Sequence, residues 1–267
     1  MTGPLTILIT NDDGVASPGL AALVRAAVGP GRRVVVAAPS DDQSGTSAAV
    51  APRPAEGTPV ERVRIAGLHE PGFDDLVAYA VSGPPALAVL AARFGQLGAA
   101  AHAATIVASG INLGPNTGAA VLHSGTVGAA LAAANFGLSG LAVSMSTMRP
   151  VHLATGTVVA AAALDRLAAS PPGTVLNVNV PDVALDHIKG IRQAPLARFG
   201  AVEAVVADRG KEPFTIQLRG QDREADAGSD SALLRDGWVT VTALLGVRAD
   251  EGLDLADDIE RAISRAA

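Results

Sequence analysis

Two short apolar runs that do not alternate constrain this chain more than any other feature. Leu5-Thr6-Ile7-Leu8-Ile9 and Arg33-Val34-Val35-Val36-Ala37-Ala38 lack the in–out pattern of a half-exposed strand. Runs of this kind belong to strands covered on both faces, which means a parallel sheet. Between them Ser17-Pro18 supplies an N-cap and a first-turn proline. Leu20, Leu23, Val24 and Ala27 recur at helical spacing, and Gly29-Pro30 ends the helix. Strand, helix and strand make a βαβ unit, the opening of a doubly wound fold.

The rhythm continues down the chain. An edge strand is predicted over Val60–Ala66 after a loop over Pro52–Gly57, and another strand over Leu76–Val81. Ser82-Gly83-Pro84-Pro85 leads into a helix over Ala86–Phe94, and Thr105–Ala108 forms a strand. A helix follows near Thr126–Phe136, then a strand at Leu141–Met145, a helix at Leu153–Ala168 and a strand at Val175–Pro181. Beyond about Pro195 the texture changes. Ala201–Ala207, Phe214–Leu218 and Trp238–Leu244 are predicted strands around the charged stretch Arg219–Asp230, and Leu253–Ser264 is an amphipathic terminal helix. The expectation is a three-layer α/β protein with a Rossmann-like, mostly parallel sheet over residues 1–195. A β-rich extension with a terminal helix, residues 196–267, would serve oligomerisation.

Composition narrows the function. The 267 residues are 49% hydrophobic and only 3% aromatic, so the core is built from Ala, Val, Leu and Ile. A net charge of -6 excludes a surface that coats macromolecular nucleic acid. It leaves room for a small phosphorylated substrate if a metal supplies local positive charge. The absence of cysteine removes thiol catalysis, disulfides and thiolate metal sites, and suits a cytoplasmic protein. No signal peptide is expected. From Phe94 to Met148 there is no Asp, Glu, Lys or Arg, and Thr126–Met145 imitates a membrane span. Asn135, Gly137 and Gly140 punctuate that run as turns do, so buried helix and strand are expected, not a membrane segment.

The chemistry gathers where strands end. Thr10-Asn11-Asp12-Asp13-Gly14 places two adjacent carboxylates at the end of a buried strand, where an unpaired charge costs several kcal/mol. Ser40–Ser47 and Ser109–Gly118 follow two further strands, and in a parallel sheet such loops converge on one edge. The convergent groups Asp12, Asp13, Ser44 and Asn112 are all oxygen donors, which suits Mg²⁺, Mn²⁺ or Ca²⁺ and not zinc. Gly14 permits the turn that both aspartates need to approach one ion. His123-Ser124-Gly125-Thr126 opens a helix, and its exposed N–H groups and hydroxyls make an anion site. A metal beside a phosphate cradle is what phosphoryl hydrolysis requires.

These motifs resemble the SurE (survival protein E) family. The resemblance is carried by Thr10–Gly14, Ala38-Pro39 with Ser44-Gly45, Ser109-Gly110-Ile111-Asn112 with Gly114, Asn116 and Gly118, and Ser124-Gly125-Thr126-Val127. Asn177-Val178-Asn179-Val180-Pro181 also resembles a family signature, and Ser229-Asp230-Ser231 with Gly237–Thr242 echoes the family's C-terminal pattern. The resemblance implies a divalent-metal-dependent 5′/3′-nucleotidase or acid phosphatase acting on a nucleoside monophosphate. It implies that Asp12, Asp13, Ser44 and Asn112 bind one divalent ion, with Asp12 and Asp13 catalytic. Asn11, Gly45, Ser109, Asn116, Ser124, Gly125 and Thr126 would surround the phosphate. It further implies a homodimer or homotetramer joined through the C-terminal extension.

The chain departs from the family pattern at Pro84 and Leu87, where a Thr and an Asp are usual, at Ala48 and Ala49, where a His-Ser pair is common, and at His123, where a Tyr is common. Groups around a metal orient its ligands and shape the pocket, so these departures bear on substrate choice and rate. A weakly catalytic phosphate- or nucleotide-binding protein is therefore the alternative. Taken singly, Asn11–Gly14 is also good turn chemistry, Ser44 a loop hydroxyl, Asn112 a cap for its own loop, and Ser124 and Thr126 helix caps. His123 has two readings, a proton donor to a leaving alkoxide or a neutral packing residue. His69, His102, His152 and His187 show no ligand spacing, and Asp41-Asp42 is expected to face solvent.

Overall fold

The computed structural model describes residues 4–50, 57–200, 202–206, 216–220, 225–247 and 256–266. Its elements in order are β1 Leu5–Thr10, α1 Pro18–Ala27, β2 Arg32–Pro39, β3 Val60–Arg62, β4 Val77–Val81, α2 Pro85–Arg93, α3 Gly98–His102 and β5 Ile106–Asn112. After a 3₁₀ turn over Gly118–His123 come α4 Gly125–Asn135, β6 Ser139–Met145, α5 Leu153–Ala168 and β7 Val175–Val180. β8 Ile191–Gln193, β9 Val202–Val206, β10 Ile216–Gly220, α6 Asp230–Arg235, β11 Val239–Leu244 and α7 Ala256–Ala266 complete the chain.

Nine strands form one sheet in the order β3-β4-β2-β1-β5-β6-β7-β11-β8. The six from β4 to β7 are parallel, and their chain order reverses between β1 and β5. Ligands in open α/β sheets bind outside the carboxyl ends of the strands at such a reversal. Helices cover both faces. Ile7 and Ile9 of β1 pack with Leu20, Leu23 and Val24 of α1 and Leu164 of α5. Leu8 faces the other way, toward Val89 of α2, Ala101 of α3 and Ala129 of α4. Strands flanked on both faces need apolar side chains at every position, which is why the runs did not alternate. Each fully buried Leu or Ile contributes about 1.5–3 kcal/mol relative to exposure.

The expected βα rhythm is the observed one, with α5 at the predicted limits and β5 extending four residues further, to Asn112. The Thr126–Met145 run that imitates a membrane span resolves into α4 and β6, and among the described residues no helix is long and apolar enough to cross a membrane. The expected edge strand shrinks to β3, antiparallel to β4.

The C-terminal expectation needs correction. Residues beyond 195 are not a separate appendage throughout, because β11 pairs antiparallel with β7 inside the main sheet and carries β8 on its far side. An unpaired β7 would leave a buried row of backbone donors and acceptors, and Val239-Thr240-Val241-Thr242 supplies the strand that satisfies them. β9 and β10 do form their own two-stranded antiparallel unit. Most of the loop predicted over Pro52–Gly57 lies outside the described residues. So do Ala201, Ala207, 214–215, 221–224 and 253–255 of the C-terminal predictions.

Candidate active site

The site is built at the carboxyl ends of β1, β2 and β5. Asn11 is buried and donates from Nδ2 to the Gly14 carbonyl at 3.0 Å, which tightens the turn after β1. Gly14 completes that turn at φ +92°, in the left-handed region that a side chain resists. The Gln43 N–H donates to the Asp12 carbonyl at 2.7 Å and the Val15 N–H to the Pro39 carbonyl at 2.9 Å. The β1 and β2 loops are thereby stitched together.

Asp12 is the most deeply fixed group. One carboxylate oxygen accepts from the Thr126 N–H at 3.0 Å, and the other accepts from the Thr126 hydroxyl. Gly125 admits this approach, since a Cβ there would collide with the Asp12 side chain. Burial pushes the Asp12 carboxyl above its ordinary range; the Thr126 donors pull it back and the Asp42 charge pushes it further. The group seated at the N-terminus of α4 is thus a carboxyl of the protein itself. Ser124 caps the same helix, accepting from the Val127 N–H at 3.1 Å.

Asp13 is half-buried and far less committed. Among the described residues its carboxylate accepts one hydrogen bond, a long one from the Leu113 N–H at 3.4 Å. Burial first, then the neighbouring Asp12 and Asp42 charges, push its carboxyl up to about 7 against the Leu113 N–H, which favours ionisation. Two carboxylates in one low-dielectric corner repel each other, and a cation would relieve them.

Ser44 is exposed, and both its N–H (2.8 Å) and its hydroxyl (2.6 Å) donate to Asp42 Oδ1. With its proton committed, the hydroxyl presents only lone pairs to anything else. Asp42 faces solvent as expected, yet it also orients Ser44 and adds negative charge at the aspartate pair. Its Asp-x-Ser spacing was the available signal. Asn112 donates from Nδ2 to the Gly114 carbonyl at 2.8 Å, leaving its amide oxygen as the end able to accept or ligate. A register shift between Ser109 and Asn112, against β6, re-aims this residue at the strand end.

Three buried polar atoms here have no hydrogen-bond partner within the described structure: Thr10 Oγ1, Asn11 Oδ1 and Ser109 Oγ. Thr10 and Ser109 face each other across β1 and β5. Buried polar groups are nearly always paired, and these three stand beside the aspartate pair, although Asn177 Oδ1, His152 Nδ1 and Thr240 Oγ1 elsewhere in the described structure are unpaired as well.

Two residues expected around the phosphate have other duties. Both donors of Thr126 are committed to Asp12. Asn116 is bound on every side: its N–H donates to Asn179 Oδ1 at 2.8 Å, its carbonyl accepts from Asn177 and Asn179, and its Nδ2 donates to Ser144. Gly45 lies exposed in the β2 loop. His123 is exposed, which removes the buried-packing reading. Thr126 as a brace for Asp12, and Asn177 and Asn179 as anchors of the β5 loop, were not legible as roles in the sequence. Among the described residues no three of His, Cys, Asp and Glu gather as metal ligands, so an ion here would rest on two carboxylates plus neutral oxygens.

The chain matches the family described as Survival protein SurE over residues 7–202. It is 38% identical over 246 residues to the 5′-nucleotidase SurE of Pseudomonas entomophila (strain L48), covering 90% of this chain and 92% of that protein. The 5′-nucleotidase SurE of Methylococcus capsulatus (strain ATCC 33009 / NCIMB 11132 / Bath) is 37% identical over 243 residues, 89% of this chain and 90% of its own length. Among solved structures, the SurE protein from Aquifex aeolicus superposes with a TM-score of 0.73 at 27% identity, covering 97% of this chain and 99% of its own.

Proposed function

Because the chain belongs to the survival protein SurE family, we propose that it is a divalent-metal-dependent phosphomonoesterase, hydrolysing nucleoside 5′- or 3′-monophosphates to nucleoside and phosphate. The observation that carries this reading is the aspartate pair at the β1–β5 reversal. Asp12 is braced by the N-terminus of α4, and Asp13 beside it is held near neutrality by burial and by its neighbours' charge.

The residues present fit a hard divalent ion. Asp12, Asp13, Ser44 through its lone pairs and Asn112 through its amide oxygen form an oxygen-only set, and the orphaned Asn11 Oδ1 lies in the same turn. When bound, such an ion supplies charge neutralisation at the phosphoryl group and lowers the pKa of a coordinated water. The chain does the rest. Asp12 is immobilised through both oxygens, whereas Asp13 accepts a long hydrogen bond from the Leu113 N–H, so Asp13 is the carboxylate suited to take a proton from the attacking water. Asn11, Gly45, Ser109, Ser124 and Gly125 complete the phosphate side, and His123, exposed just before α4, is suited to protonate the leaving oxygen.

The proposal includes a cytoplasmic location and a homodimer or homotetramer formed through residues 196–267. Exposed Ile259 and Ile263, one turn apart on α7, support such association. Relatives named as 5′-nucleotidases favour catalysis over the alternative of a non-catalytic nucleotide-binding protein. The test is phosphate release from nucleoside monophosphates, sugar phosphates and an aryl phosphate with Mg²⁺, Mn²⁺ or EDTA. Release that requires metal and favours nucleotides is expected. Release that persists in EDTA, or none with any metal, overturns the proposal.

A further inference from the structure

The loop from Leu113 to Ser124 links Asn112 at the end of β5 to the N-terminus of α4, where Thr126 grips Asp12. Both ends of this loop therefore touch the candidate metal shell, and its middle is clamped from two sides. On one side β6 and β7 hold the Asn116 peptide and side chain. On the other, the clamp comes from α6, a segment more than a hundred positions further along. Asp230 is fully buried, and its carboxylate accepts from the Gly118 N–H at 2.9 Å, the Ala197 N–H at 2.9 Å and the Ser231 N–H at 2.7 Å. Next to it the Ser231 hydroxyl donates to Thr117 Oγ1 at 2.9 Å. Gly118 packs so closely here that any side chain would collide with the Ala197 and Phe199 carbonyls.

We infer that Asp230, seconded by Ser231, is a positioning residue for the active site, locking the β5–α4 loop and so setting Asn112 and Thr126. A buried carboxylate is costly unless its oxygens are filled by donors, and charge-assisted bonds to backbone N–H groups are the stronger kind. Such a group is an expensive way to cap a six-residue helix, whose N-cap Ser229 already accepts from the Ala232 N–H. Its oxygen Oδ2 is spent on Gly118 in the loop instead. The 3₁₀ turn over Gly118–His123 then transmits that anchor as a short strut to Ser124 and α4. Partners that orient ligands typically change metal affinity or activity by about 10- to 100-fold when removed.

The inference concerns the loop and its ligands, and only its activity arm rests on the proposed hydrolysis. Asp230→Asn keeps one oxygen for Ala197 and Ser231 and sets an NH₂ against the Gly118 N–H. The control is Asp226→Asn, which alters the bond to the Arg198 N–H nearby without touching the loop. In the full chain, Asp230→Asn is expected to speed amide exchange across residues 113–124 and to weaken Mn²⁺ binding by calorimetry about 10- to 100-fold. It should lower kcat with little change in KM, while Asp226→Asn matches the parent. Unchanged loop exchange and Mn²⁺ affinity in Asp230→Asn, or equal losses in Asp226→Asn, overturn the lock. If Asp230→Asn does not fold, Ser231→Ala carries the same test, with smaller shifts in the same direction and reversal by Ser231→Thr; no shift there overturns it too. A parent chain without metal-dependent phosphate release defeats the proposed function alone, since exchange and Mn²⁺ binding still judge the lock.

Discussion

Two neighbouring stretches of one sheet edge bury polar side chains to opposite ends. At the ends of β6 and β7, Asn179, Asn116 and Ser144 bond one another and the backbone, and Asp182 accepts from the Val151 and His152 N–H groups. At the ends of β1 and β5, Thr10, Asn11 and Ser109 carry orphaned oxygens beside two carboxylates that burial disfavours in their charged form. The first stretch also leaves Asn177 Oδ1, His152 Nδ1 and Thr240 Oγ1, opposite Asn179 on β11, without hydrogen-bond partners; what sets the second apart is its pair of adjacent carboxyls that burial pushes upward. The second carries the cost of two carboxyls crowded into one buried corner. Unpaired polar atoms occur in both stretches, so it is the adjacent carboxyls pushed upward by burial that mark the site.

Asp13 separates the two stretches most directly. Asp13→Asn should lower metal-dependent phosphate release by roughly 1,000-fold, the several kcal/mol that metal-assisted charge stabilisation supplies. The same variant should raise the unfolding midpoint of the metal-free protein above pH 7, because it removes a charge that burial penalises. Activity within tenfold of the parent would remove Asp13 from the centre of the reaction.

His123→Gln sharpens the site side. Loss of a general acid costs about 100-fold or more with a poor leaving group. Nucleotide hydrolysis should fall by that order, and hydrolysis of a nitrophenyl phosphate, whose leaving group needs no proton, should change little. Equal losses on both substrates would assign His123 to shape instead.

The architectural side predicts the reverse of Asp13. Asn179→Ala leaves the half-buried Asn116 N–H without its acceptor, at a cost of about 1–3 kcal/mol. Chemical denaturation should show that loss with and without metal. A variant as stable as the parent would erase the distinction between the two stretches.

The smallest effect is in pH. Folded Asp13 keeps its proton to about pH 7, against 3.8 as the ordinary value. Between those values the folded chain holds the extra proton, so this carboxyl favours folding most at the acid end and loses that contribution as pH rises through 7. The difference in unfolding midpoint between the parent and Asp13→Asn should therefore widen from pH 5 to pH 8 without metal. Stabilisation by Mg²⁺ should grow over the same range, because the ligand must shed its proton. Curves parallel at every pH would show that Asp13 does not titrate there.

Much of this was legible in the chain. The unalternating runs announced covered parallel strands, and Ser17-Pro18 marked the start of α1, where the Ser17 hydroxyl caps the helix. That Asp12 and Asp13 would stand just after β1, Ser44 after β2 and Asn112 at the end of β5 was legible from the strand pattern, whereas their role at a metal belongs to the proposal. Asp42, Thr126 and Asn116 were harder. Their roles rest on partners distant in sequence or on a side-chain direction within a loop, and neither leaves a periodic trace. β8 is three exposed residues and α6 only six, too brief for any pattern to accumulate.

What the sequence determined by itself was local and periodic: which runs are buried on both faces, where helices start, and which oxygen-bearing side chains close the strands. Only the tertiary structure decided how those oxygens are spent. It turned Thr126 onto Asp12, gave the Asn116 peptide to Asn179, brought β11 into the main sheet and set Asp230 under Gly118. Hydrogen bonds reach about 3 Å and recognise neighbours in space, and that neighbourhood exists only once the strands have taken their order.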